Sequence, residues 1–130
     1  MALDITISGK YQYQEGFHLR WYADGFYTHI YEDLLELEKL TNQKIGLYND
    51  SEFRSDNLPV LKYFLIQLID KTNIIEKDSW QVLIGTEYGL VVREIYETIQ
   101  KSQLLTELKK FLVLVDTAIE NNEYIICSGD

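Results

Sequence analysis

Residues 104–119 carry the pattern that most limits what this chain can fold into. Leu104, Leu105, Leu108, Phe111, Leu112, Val115, Ala118 and Ile119 recur at spacings of three and four. That period lines one side of a long helix with apolar side chains and leaves the other side polar. A helix with one such stripe must bury it against a second layer. The two ends of the chain suggest the layer. Leu3-Asp4-Ile5-Thr6-Ile7-Ser8 alternates apolar and polar, which puts Leu3, Ile5 and Ile7 on one face of a half-buried strand. Tyr124-Ile125-Ile126-Cys127 reads as a closing strand after Asn121-Asn122, a pair suited to the left-handed end of a helix.

Further elements fill the interval. Tyr11-Gln12-Tyr13-Gln14 and Phe17-His18-Leu19-Arg20-Trp21 continue the alternation, so the first 22 residues predict a meander of up to three strands. After Asp24-Gly25 the period becomes helical: Phe26, Ile30, Leu34, Leu37 and Leu40 form a stripe that Thr41-Asn42 stops. Residues 43–57 keep no period and read as an irregular loop. Pro59 suits the first turn of a next helix, with Asp56 and Asn57 as capping oxygens and Leu61, Phe64, Leu65, Leu68 and Ile69 as its stripe. Residues 79–86 alternate through Trp80, Val82 and Ile84 as a strand. The spacing of Val91, Val92, Ile95, Tyr96 and Ile99 predicts a helix over 90–100, although the β-branched residues among them and the preceding strand also suit a hairpin arm. Lys101-Ser102 breaks that segment, with Ser102 as the cap of the final helix. The order implies a single α+β domain over 1–130, with three or four helices packed on an antiparallel sheet made of the N-terminal meander and later strands.

Charge narrows the function classes. The chain has 21 acidic and 12 basic side chains, a net charge of −9, and both halves are acidic. A field of that sign repels phosphate backbones and anionic lipids and draws in basic proteins. Direct nucleic-acid or membrane binding is therefore not expected. No run approaches the about 20 apolar residues that span a bilayer. The start, Met1-Ala2-Leu3-Asp4, lacks the features of a secretion signal, and one cysteine forms no internal disulfide. These features give the expectation of a cytoplasmic protein.

Motifs for chemistry are sparse. No phosphate-binding glycine pattern, GxSxG or HExxH occurs. His29, Asp33 and Glu36 share one helix face, where a solvated surface is the simpler account than a metal site. His18 sits beside Arg20 with no acid–base partner in its neighbourhood of sequence, and the apolar context of Cys127 suits a small buried side chain better than a nucleophile. No cofactor is expected, and no catalytic residue is assigned.

Ten tyrosines stand out. Tyr27 and Tyr31 lie one turn apart, with Glu32, Asp33 and Glu36 following; Tyr48 precedes Asp50 and Glu52. Tyrosine interleaved with carboxylate suits a basic protein surface, the rings supplying contact and the charges the encounter rate. The expectation is a protein-binding module, a small acidic inhibitor or immunity protein of bacterial type covering a basic partner such as a toxin nuclease. Its contacts would be Tyr27, Tyr31, Glu32, Asp33, Glu36, Tyr48, Asp50 and Glu52. Competing readings are a nucleic-acid mimic that inhibits a defence protein, a small enzyme with a pocket of carboxylates and tyrosines, and a homodimeric scaffold.

Overall fold

The computed structural model describes residues 2–12, 14–22 and 24–129. Strands β1 (Leu3–Ile7) and β2 (His18–Trp21) open the chain, and helices α1 (Asp24–His29) and α2 (Tyr31–Thr41) follow. Next come strand β3 (Asp50–Phe53), helix α3 (Leu58–Asn73) and the hairpin of β4 (Ser79–Glu87) and β5 (Arg93–Gln100). Helix α4 (Lys101–Asn121) and strand β6 (Ile125–Gly129) complete the order. Among the described residues these strands form two antiparallel sheets, one ordered β2-β1-β6-β3 and the other β4-β5 alone. The architecture is α+β, as the pattern of periods implies.

Alternation fixes the four-stranded sheet. Leu3, Ile5 and Ile7 face inward with Leu19, Trp21, Phe53, Ile125 and Cys127, all buried. A one-residue slip would turn the whole set to water, so one buried face specifies the register. Helix α4 lays its stripe on this face: Leu104, Leu108, Phe111, Leu114, Val115 and Ala118 are buried, and α3 packs beside it through Leu61, Leu65, Leu68 and Ile69. Asn42 and Asn122 end α2 and α4 in the left-handed conformation, each returning its N–H to a carbonyl of the last turn.

Several expectations are corrected. Residues 90–100 are not a helix, because 93–100 form β5, paired from Ser79↔Gln100 to Glu87↔Arg93 with a bulge between Leu83 and Gly85. Val91, Ile95 and Ile99 are spaced by four, which keeps one face in either period; their β-branching and the neighbouring strand decide the outcome. The stretch 43–57 contains β3, hidden because its inward side chains are only Ser51 and Phe53. Helix 26–40 is two helices that part at Ile30, and Leu40 is exposed. Residues 9–11 form a single 3-10 turn in place of a third strand, with Tyr11 packed on Phe17 at 4.7 Å; Tyr13 lies outside the described residues. Asn57 stands at the N-cap of α3 but its side chain supplies no capping oxygen and donates its amide to the Thr41 carbonyl, and α4 begins at Lys101 directly after β5, before Ser102. Among the described residues, no helix is long and apolar enough to cross a membrane.

Candidate functional site

Helices α1 and α2 carry five of the expected contact residues, of which Tyr27 and Tyr31 touch each other while Glu32, Asp33 and Glu36 lie further round α2. The rings of Tyr27 and Tyr31 meet edge to face at 5.8 Å, one turn apart across the break at Ile30. Tyr27 is half-buried against the core, and its hydroxyl pKa is raised, first by that burial and then by Tyr31 and Glu38. Tyr31 is more open, which leaves the outer part of the pair available for contact. Glu32 is exposed, Asp33 holds Lys71 of α3 at 2.9 Å, and Glu36 holds Lys39 at 3.0 Å. Exposed ion pairs of this kind are worth about 0–1 kcal/mol, so a partner's cations can replace the lysines at little cost. Beside them, grooves of about 460 and 390 Å³ run along α3, both lined by Asp33, Leu68 and Lys71.

Tyr48, Asp50 and Glu52 lie elsewhere. Asp50 and Glu52 point outward from β3, where Glu52 pairs with Arg54 at 2.7 Å, and Tyr48 is exposed on the preceding turn. The Gln43 side chain accepts the Glu52 N–H, tying this edge to the far end of α2. With 11 residues, α2 places about 15 Å between its two ends. The eight residues therefore divide between α1–α2 and the β3 edge, linked through Gln43 just past α2, and a contact covering both would need a partner spanning α2.

Other titratable groups find structural partners. The His29 ring packs at a tilt against Trp80 at 5.1 Å and accepts the indole N–H at Nδ1 at 3.4 Å; burial lowers its pKa, with Asp33 opposing and Lys71 assisting. Among the described residues, no three potential metal ligands gather. His18 has a carboxylate partner that local sequence did not reveal: β1–β2 pairing brings Asp4 within 2.9 Å, and Arg20 reaches the same carboxylate at 3.2 Å. This trio lies on the solvent face of the sheet, beside a shallow groove. Cys127 is fully buried and its thiol is pushed up to about 12, against a smaller opposing pull from the Ser51 hydroxyl across the strand pair. A thiol held that firmly protonated is a packing side chain. A groove of about 500 Å³ lies where Arg54 covers the Tyr124 ring near the start of α3.

The apolar surface of the β4–β5 hairpin is what sequence reasoning missed. Leu83, Tyr88, Leu90, Val91, Val92, Ile95 and Tyr96 are all exposed. Its signal is the uncharged run Tyr88-Gly89-Leu90-Val91-Val92, whose last residues also fit a helical spacing. No protein-family model, curated protein or solved structure matches the chain.

Proposed function

We propose that the chain is a protein-binding module, a small acidic inhibitor of the immunity type that covers a basic partner such as a toxin nuclease. The observation that carries this reading is the edge-packed Tyr27–Tyr31 pair on an acidic helical segment, with Glu38 close enough to reinforce the rise that burial gives the Tyr27 hydroxyl pKa, and Glu32 and Glu36 exposed further round α2. Rigid rings supply contact area with little loss of side-chain freedom, and the carboxylates select for positive charge. The net charge of −9 adds long-range attraction toward such a partner. A bacterial cytoplasm suits the reading, since a single reduced thiol is ordinary there.

The test is affinity capture on the full chain at physiological salt, with the wild type beside a Tyr31→Ala, Asp33→Asn double variant. The expected result is a basic protein held at unit stoichiometry, released by rising salt, and bound at least about 10-fold more weakly by the variant. Equal binding by the variant, or a partner held independently of salt, overturns the proposal.

A further inference from the structure

The hairpin divides into an anchored base and a free arm. At the base, Ile99 is buried in the core, Trp80 packs against His29, and Glu97 accepts the Gly25 N–H at 2.9 Å. Lys101, directly after β5, donates its ammonium to the carbonyls of Asn73 and Ile75. Beyond the bulge at Leu83/Gly85 these ties cease, and every residue from Thr86 to Tyr96 is exposed. The outer edges of β4 and β5 pair with no other strand among the described residues.

This arm is unusually apolar for a solvated element. Leu83, Tyr88, Leu90, Val91, Val92, Ile95 and Tyr96 retain between 40 and 109% of their accessible surface. Together they expose on the order of 700 Å², spread over the tip and both faces of the ribbon, since Leu83 opposes Tyr96 on one face and Ile95 lies on the other. A two-stranded ribbon gains little stability alone, and open edges with apolar flanks invite further pairing.

Charge points to the occupant. Although the whole chain is strongly acidic, residues 88–92 carry no charge, and they are bordered by Glu87 and Arg93, which oppose each other in the register. A partner chosen for positive charge belongs on a surface rimmed with carboxylates, as α1 and α2 are, whereas the arm offers nearly balanced charge and apolar contact. A second copy supplies the matching surface: the same open edges, the same apolar tip, and opposite signs at Glu87 and Arg93 that a two-fold axis can bring together. Two arms that clasp each other over the tip and both faces would bury up to about 1,400 Å² in total, within the range of a standard stable interface.

We infer that the β4–β5 arm is a dimerisation element, with two copies of the chain packing arm against arm. The inference is independent of the basic-partner reading, which rests on α1 and α2. Sedimentation of the full chain up to about 200 µM tests it, since a self-associating species changes mass with concentration. The expected limit is twice the 15.3 kDa chain mass. Leu90→Asp with Val92→Asp is expected to weaken self-association by at least about 100-fold, because it buries carboxylates at the interface centre. Circular dichroism should be unchanged, and capture of the basic partner should be retained. Val91→Lys is the second variant, expected to act in the same direction. A wild-type monomer at the highest concentration overturns the inference, as does a dimer that persists in either folded variant. Monomers that sediment with neutral phosphatidylcholine vesicles would instead assign the tip to lipid and equally overturn it.

Discussion

The two sheets are built from similar side chains and meet opposite fates. In β1, Leu3, Ile5 and Ile7 are almost fully buried, with β2 and β6 as neighbours and α4 across the face. In the hairpin, Leu83, Ile95 and Tyr96 remain open, and β4 and β5 have only each other. Local apolarity alone does not decide burial; the layer that arrives from distant sequence does. The four-stranded sheet and its helices therefore carry the stability of the fold, while the arm is secured only at its base. Apolar surface that the fold leaves uncovered is surface available to another molecule.

The comparison is most easily broken in the core. Leu108 is fully buried between α4 and its neighbours. Leu108→Ala is expected to lose about 3–4 kcal/mol, the transfer term plus the cavity left behind, measured by urea unfolding. A loss under about 1 kcal/mol would mean that α4 is not the central packing element. Ile99→Ala comes next, at about 2–3 kcal/mol, because the same kind of truncation falls at the margin of the core. Here hydrogen exchange should sharpen the contrast: amides of β4 and β5 are expected to lose protection before those of β1 and β6. Uniform loss across both sheets would mean that arm and body open as one unit.

Glu97→Ala is expected to cost about 1–2 kcal/mol by leaving the first turn of α1 without its charged acceptor. Gly25 explains why this contact exists, since a Cβ there would lie 2.9 Å from Ile99 Cδ1 and 3.1 Å from the Glu97 carboxyl carbon. The absence of a side chain lets α1 approach β5 closely enough for its N–H to reach the carboxylate. If the loss is confined to exchange in α1 and the hairpin, the base is confirmed as a separate anchoring contact.

The legible parts of the fold were those with a long period and a buried partner. The stripe of α4 extends over several turns, and Leu3, Ile5 and Ile7 can satisfy their alternation only as a strand. Hidden parts had short or shared patterns: β3 offers one apolar side chain inward, and the spacing of four in β5 serves helix and strand alike. The break at Ile30 was invisible because Phe26, Ile30, Leu34 and Leu37 are all buried on either side of it. For the candidate site, the placement of Tyr31, Glu32, Asp33 and Glu36 on one helix is readable from spacing. The separation of Tyr48, Asp50 and Glu52 from them is not, nor is the approach of Asp4 to His18, because both depend on sheet register between distant segments.

A smaller effect joins the base of the hairpin to pH. The pKa of His29 is lowered in the folded chain, so above its ordinary value near 6.5 both states are neutral and stability is full. As pH falls through 6.5 toward the lowered folded value, the unfolded chain takes up a proton that the folded chain does not, and stability declines. Unfolding midpoints at pH 7.5 and 5.5 should show this decline in the wild type, and His29→Gln should remove part of it. An unchanged slope in the variant would place the titration elsewhere and leave the His29–Trp80 pair as a packing contact alone.

The smallest effect is expected on the arm itself. Leu83 faces Tyr96 on the outer side of the ribbon, beyond the contacts that secure the base. Leu83→Thr removes apolar surface and puts in its place a β-branched side chain suited to a strand, so unfolding at low protein concentration should change by no more than about 0.5 kcal/mol. At high concentration the same variant should lose stability relative to the wild type, because association stabilises only the folded, arm-exposing state. A loss above about 1 kcal/mol in dilute solution would show that the outer face of the arm already packs within one chain, and the contrast between the two sheets would fail.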